Sequence, residues 1–200
     1  MPTPTSLAPR LLASRPDVLD FLATRRSRPA KTLGLPVPDS TALTPLLEMA
    51  ARSPDHGKLE PWRFVVLERG ALLRLADAIP AYAGDRDAET VAKAQQQFSE
   101  AHLAAAVIEV QRPSPKIPAI EQTYSAGAVC LAMLNAALAA GWGANWLSGW
   151  ASHDPAFASG ALGLASNERI AGFIHIGTET SVPPERPRPD ITAITTWMDT

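Results

Sequence analysis

The sequence predicts an α+β fold on three observations. Stretches with helical spacing outnumber strand-like runs, and the strand-like runs are spread among them. One segment, Glu121–Gly141 (EQTYSAGAVCLAMLNAALAAG), also reads as a helix that is apolar on nearly every face. It contains no proline, lysine or arginine, and its only carboxylate, Glu121, stands at its start. A helix apolar all round is buried all round, in protein or in membrane. Ser125, Asn135, the many alanines and the missing basic anchors favour protein. The remaining helices are amphipathic and need the same core, so 200 residues can hardly wrap this one alone. A second copy of the chain is expected to supply the missing cover.

The other elements follow in order. Residues 1–13 read as a disordered tail, and 14–200 as a single domain. Ser14 is a candidate cap for a first helix with Asp17 in its opening turn. Val18, Phe21 and Leu22 form its apolar face, and Arg25, Arg26 and Ser27 follow. Residues 29–38, with three prolines and Gly34, read as an extended connector. A second helix is predicted over 40–52, with Leu43, Leu46, Leu47 and Ala50 on one face. Pro45 suits its first position if the helix starts at Thr44, and lies inside it if the start is nearer Asp39. Arg63–Glu68, Ala104–Val110 and Arg169–Gly177 are the predicted strands. Residues 70–79 and 154–162 are short helices, the latter opened by Asp154 and Pro155. The polar stretch 81–100 is a surface helix plus loop and a candidate lid. Pro183–Pro189 is a proline-rich exit.

Composition excludes several functions. A net charge of −2 leaves no general basic footprint for nucleic acid. One cysteine, Cys130, rules out a disulfide within the chain. Four histidines with no neighbouring cluster of ligands argue against a metal site. The start of the chain carries Arg10 and Arg15 and no secretory signal, so a cytoplasmic location is expected. No nucleophile–base arrangement stands out.

Three places could carry chemistry. Arg25-Arg26-Ser27 fits a phosphate, because arginine forks and a hydroxyl suit its oxygens. Arginines at a helix C-terminus also satisfy the macrodipole with no ligand at all. Ser53–Trp62 (SPDHGKLEPW) exposes His56 on a Pro/Gly loop, or is a surface turn. Residues 141–150 (GWGANWLSGW) set glycines beside tryptophans, which admits a planar ligand or simply packs the end of the central helix.

Taken together, in this order and spacing, these pieces resemble the nitroreductase family of FMN enzymes, in its small bacterial branch. The resemblance runs from about Pro16 to Thr178. It is carried by Arg25-Arg26-Ser27, Ala51-Arg52-Ser53-Pro54-Asp55-His56, Pro61-Trp62-Arg63-Phe64, Lys116-Ile117-Pro118, Ser125-Ala126-Gly127, Trp146 with Ser148-Gly149, and Gly172-Phe173 with Gly177-Thr178. It implies a sheet, mixed or antiparallel, flanked by helices around a buried central helix. It also implies an intertwined homodimer with FMN in two clefts at the interface. By the family pattern Arg25, Arg26 and Ser27 hold the phosphate and ribityl chain. Arg52 and His56 reach the flavin from the partner, Trp146, Leu147 and Ser148 line it, and Ala136 to Gly141 border the nicotinamide donor. This chain departs from the pattern at His56 and Glu60, where many relatives carry asparagine and glutamine. It departs also at Leu147, where close relatives tend to carry arginine, and at Glu179, where proline is frequent.

The resemblance thus implies hydride transfer from NADH or NADPH through FMN to a small acceptor such as a nitroaromatic or quinone, in ping-pong order. The flavin would carry the chemistry, with no catalytic side chain, no metal, no membrane and no nucleic acid involved. The alternative is a flavin- or small-ligand-binding dimer, a carrier or sensor without turnover. Arg186 and Arg188, in the exit PERPRP, either compensate at the phosphate for the cation missing at Leu147 or merely solubilise an exposed tail.

Overall fold

Five antiparallel strands form one sheet, and its two faces are covered by different helices in this computed structural model, which describes residues 11–199. The strands are β1 (Leu33–Gly34), β2 (Trp62–Glu68), β3 (Leu103–Val110), β4 (Gly143–Leu147) and β5 (Glu168–Glu179). Their order is β1-β5-β3-β2, and β4 also pairs with β5. Every recorded pairing is antiparallel. All eight residues of β3 are buried, the pattern of a strand covered on both faces.

The helices are α1 (Pro16–Thr24), α2 (Ser40–Ala50), α3 (Arg69–Ala78), α4 (Ala88–Ser99), α5 (Ala119–Ala139) and α6 (Pro155–Leu162). One face of the sheet, through Ala104, Ala106, Ile108 and Phe173, packs on α3, α4 and α6. The other, through Ala105, Val107, Ile174 and Ile176, packs on α2 and α5. On α4, Phe98 meets the Phe173 ring edge-on at 5.2 Å, so the core pins the helical half of the predicted lid.

Several boundaries differ from expectation for physical reasons. Pro16 takes the first helical position of α1, so the cap falls on Arg15 rather than Ser14 and makes no side-chain cap bond. Asp39 accepts the Ala42 N–H at 2.9 Å and starts α2 at Ser40, which leaves Pro45 inside the helix. β1 and β4 fall in segments that composition marks as connector and glycine-rich turn. Their extended form comes from pairing with β5 rather than from local preference. The tail expected at 1–13 lies outside the described residues as far as residue 10. Residues 11–13 are exposed and irregular.

The central helix is covered on one side only. Ala126, Val129, Cys130, Met133 and Ala137 are fully buried, whereas Ile120, Tyr124 and Leu131 are 51, 69 and 45% exposed. Gln122 ties its first turns to the preceding loop: its amide accepts the Arg112 N–H at 2.7 Å and donates to the Arg112 carbonyl at 2.9 Å. All residues of α1 are exposed or half-buried, including the predicted apolar face at Val18 and Leu22. Among the described residues no helix is long and apolar enough to cross a membrane.

A bidentate ion pair clamps one end of the sheet across β3. Arg63 of β2 donates from Nε and Nη2 to the two carboxylate oxygens of Glu168, the first residue of β5, at 2.6 and 2.8 Å. These hydrogen bonds hold the Glu168 carboxyl down at about 2, from an ordinary value of 4.5. A depressed carboxylate contributes stability that is present above its ordinary value and lost as pH falls through the folded one. Because Arg63 is 41% exposed, solvent screens the pair to the order of 1 kcal/mol. Arg63→Gln is therefore expected to lower stability by roughly that amount at neutral pH. Urea unfolding should show the difference shrinking between pH 4.5 and 2.

Candidate functional site

Proline 29 and the end of α1 leave Arg25–Arg28 as an irregular strap, and the start of β4 holds it in place. The Arg28 N–H donates to the Ala144 carbonyl at 2.8 Å, and the Asn145 amide donates to the Arg28 carbonyl at 2.9 Å. The strap lies beside the C-terminal exit. Arg25, Arg26 and Ser27 line a cavity of about 530 Å³ together with Arg186, Pro187, Arg188 and Pro189. Arg25 Nη2 donates to the Ser27 hydroxyl at 3.0 Å. The Nε atoms of Arg25 and Arg26 are buried without a hydrogen-bond partner among the described residues. Burial first, then the charges of Arg188 and Arg26, lower the pKa of Arg25 from its ordinary value. Four guanidinium groups thus surround one hollow, two of them with unpartnered buried N–H groups, a donor set whose chemistry suits an anion.

Among the described residues, Arg25 and Arg26 make no ion pair, because the nearby carboxylates are engaged elsewhere. Glu185 pairs with Arg188 at 2.8 Å. Glu179, one of the departures from the family pattern, pairs with Arg28 at 3.1 Å.

Trp146, Leu147 and Ser148 fall at the end of β4, and alternation along the strand sends the first two to opposite faces of the sheet. Trp146 lies on the α5 side and lines a cavity of about 680 Å³ with Thr123, Gly127, Ser152 and Arg169. Its indole rests on Gly172 of β5, next to a bulge in the β3–β5 pairing. Leu147 lies on the α4 side and lines a separate cavity of about 240 Å³ with Lys31, Lys93, Gln96, Gln97 and His175. The cations that line the same cavity as Leu147 are Lys31 and Lys93, whereas Arg186 and Arg188 line the arginine cavity. Ser148 is exposed just beyond the strand.

The remaining predicted residues lie elsewhere on the chain. Ala136 is buried in the last turns of α5, and Gly141 follows that helix with φ of 85°. Arg52 is exposed after α2, and His56 is exposed on the following loop. Neither lines the arginine cavity or the two that border Leu147 and Trp146.

Two residues near the site escaped the sequence reading. His175 is almost fully buried, and its Nε2 has no partner among the described residues. Burial pushes it down to about 4, so it is neutral at ordinary pH. Glu121 reads there only as the first carboxylate of the central helix, yet it pairs with His56, 65 positions away. Only the fold brings these two together.

The comparisons with known proteins decide the family. The family model described as "Nitroreductase family" matches residues 23–178. The chain belongs to the nitroreductase family. It is 33% identical over 183 residues to "Putative NAD(P)H nitroreductase YdjA" of Escherichia coli (strain K12), covering 88% of this chain and 98% of that protein. Among solved structures, a nitroreductase-like family protein from Bacillus cereus has a TM-score of 0.78 at 22% identity, covering 96% of this chain and all of that one. The FMN and NADPH-dependent nitroreductase NfnB from Sphigopyxis sp. strain HMH has a TM-score of 0.71 at 18% identity, covering 91% of this chain and 99% of that one. The antiparallel sheet, its flanking helices and the central α5 are the nitroreductase fold.

Gly172 carries a prediction within this family frame. A Cβ there would sit inside the Trp146 indole, with Cδ1 at 2.6 Å and Cε2 at 3.0 Å. Gly172→Ala is expected to displace the indole and to cost roughly 1–3 kcal/mol through overpacking. Urea unfolding reads the loss, and tryptophan fluorescence reads the displacement. Adding Trp146→Leu, which makes room for the methyl, should recover most of the stability.

Proposed function

We infer that this nitroreductase binds FMN at the interface of a homodimer and moves electrons from NAD(P)H to a small acceptor such as a nitroaromatic or quinone, in ping-pong order. The observation that carries the reading is the arginine cavity, whose unpartnered Nε–H groups on Arg25 and Arg26 match the oxygens of a phosphate monoester. Arg186 and Arg188 add charge to the same hollow, and Ser27 adds a hydroxyl. Charge-assisted hydrogen bonds of this kind are worth roughly 1.5–3 kcal/mol each. The names of related proteins, which print NAD(P)H and FMN, support the cofactor and donor.

When bound, FMN supplies the hydride chemistry, and the protein's part is holding and shielding. Arg25, Arg26 and Ser27 would fix the phosphate end. The β4 end, with Trp146 and Leu147 on opposite faces and Ser148 beyond them, would seat the ring system and exclude water. Ala136 and Gly141 border the approach of the nicotinamide donor. Arg52 and His56 are left to serve the flavin of a partner copy.

The uncovered side of α5 supports the dimer. Ile120, Tyr124 and Leu131 recur at spacings of four and seven residues along one stripe of that helix. The exposed side chains of α1, Val18, Leu19 and Leu22, add apolar surface of a kind soluble monomers rarely leave open. Sedimentation is expected to show a dimer throughout the practical concentration range, and a stable folded monomer would refute the assembly.

The purified protein should be yellow, bleach anaerobically with NADH or NADPH, and recover its colour with a nitroaromatic. Bleaching without recovery would favour a flavin carrier over an enzyme. Replacing Arg186 and Arg188 together by alanine is expected to weaken FMN binding at least tenfold, on the basis of one or more lost charge-assisted hydrogen bonds. Riboflavin binding, without a phosphate, should be unchanged. Equal losses for both ligands would remove the arginine cavity from the phosphate role.

A further inference from the structure

His56 stands on a loop whose backbone is forced into an uncommon shape. Gly57 (φ 76°), Lys58 (φ 55°) and Glu60 (φ 47°) all occupy the left-handed region. Each of the two non-glycine residues pays on the order of 1 kcal/mol or more for this, and such strain persists only where surroundings enforce it. Here the Asp55 carboxylate accepts the Glu60 N–H at 2.7 Å, and Arg112 Nε donates to the Leu59 carbonyl at 3.0 Å. Gly57 closes on Ile117 with no room for a Cβ. On this platform the His56 side chain is 61% exposed, and its Nδ1 lies 2.7 Å from Glu121 Oε2 in the first turn of α5.

A carboxylate can only accept, so the imidazole nitrogen facing it carries the hydrogen. That assignment fixes the tautomer and the ring orientation together, and it leaves Nε2 uncommitted. An exposed pair of this kind contributes little to stability, so its main consequence is geometric. We propose that Glu121 is a positioning residue for His56, holding Nδ1–H so that Nε2 is the atom this loop presents to the flavin site of a partner copy. The inference rests on the dimeric flavoprotein reading above. An amide at position 56 would carry its own donor and acceptor and would need no carboxylate to orient it.

The experiment uses the full-length holoprotein and its variants, with the FMN dissociation constant read from flavin fluorescence and dimer content checked by sedimentation. His56→Ala is expected to weaken FMN binding about fivefold, the equivalent of one hydrogen bond. Glu121→Ala should weaken it about twofold to fivefold, with Glu121→Gln, a poorer acceptor, in between. Nitrogen NMR of the labelled imidazole should show the Nδ1–H tautomer of His56 giving way in Glu121→Ala, while thermal unfolding, which a purely structural role would move, stays unchanged. The effect of Glu121→Ala should vanish in a His56→Ala background and in a His56→Asn background. An equal loss in those backgrounds, or no loss with His56 intact, overturns the proposal. A dimer that binds FMN yet ignores both positions sinks this inference alone, whereas a protein that refuses FMN sinks the flavoprotein reading with it.

Discussion

Everything in this fold leans on the packing of α5 against the sheet. Ala126, Val129, Cys130, Met133 and Ala137 form one continuous buried stripe, and opposite them lie Ala105, Val107, Ile174 and Ile176 of the two central strands. The alanines on both sides let helix and sheet approach closely, and β5 is long enough, at twelve residues, to serve β1, β3 and β4 at once. The strap of Arg25–Arg28 is tied to β4, and β4 to β5, so the arginine cavity inherits its position from this layer. The His56 side chain meets the first turn of the same helix through Glu121. One helix thus touches both parts of the candidate site.

That arrangement also explains the chain's departures from the family pattern. Glu179 gives Arg28 a partner and leaves Arg25 and Arg26 for an anion. Leu147 adds an apolar wall to a small cavity whose polar groups come from Lys31, α4 with Glu100 at its end, and His175. A histidine at position 56 gains a carboxylate that fixes which nitrogen faces outward.

How much of this was legible in the sequence varies with the range of the interactions involved. The uniform greasiness of Glu121–Gly141 announces the central helix, and the incomplete cover follows from counting competitors for the core. The three strands with β-branched or alanine-rich runs are readable because their own residues favour burial. β1 and β4 are not, since two residues beside Pro36, or a run of Gly-Ala-Asn-Trp-Leu, become strands only once β5 lies alongside. Arg25-Arg26-Ser27 is visible as a motif, and Arg186 with Arg188 as a suspicion from nearby sequence. Their meeting around one hollow is a tertiary fact. The pairings His56–Glu121 and Trp146–Gly172 link positions far apart in the chain, and no local pattern encodes them.

The single cysteine shows what burial at the heart of this layer does to reactivity. Cys130 sits fully enclosed in α5, and desolvation pushes its thiol up to about 12. At neutral pH the nucleophilic thiolate is then present at on the order of one part in 10⁵, and no reagent reaches it without local opening. A thiol held this way is spared alkylation by electrophiles as long as it stays enclosed. The same enclosure turns Cys130 into a built-in reporter: its labelling rate measures how often the helix lifts from the sheet.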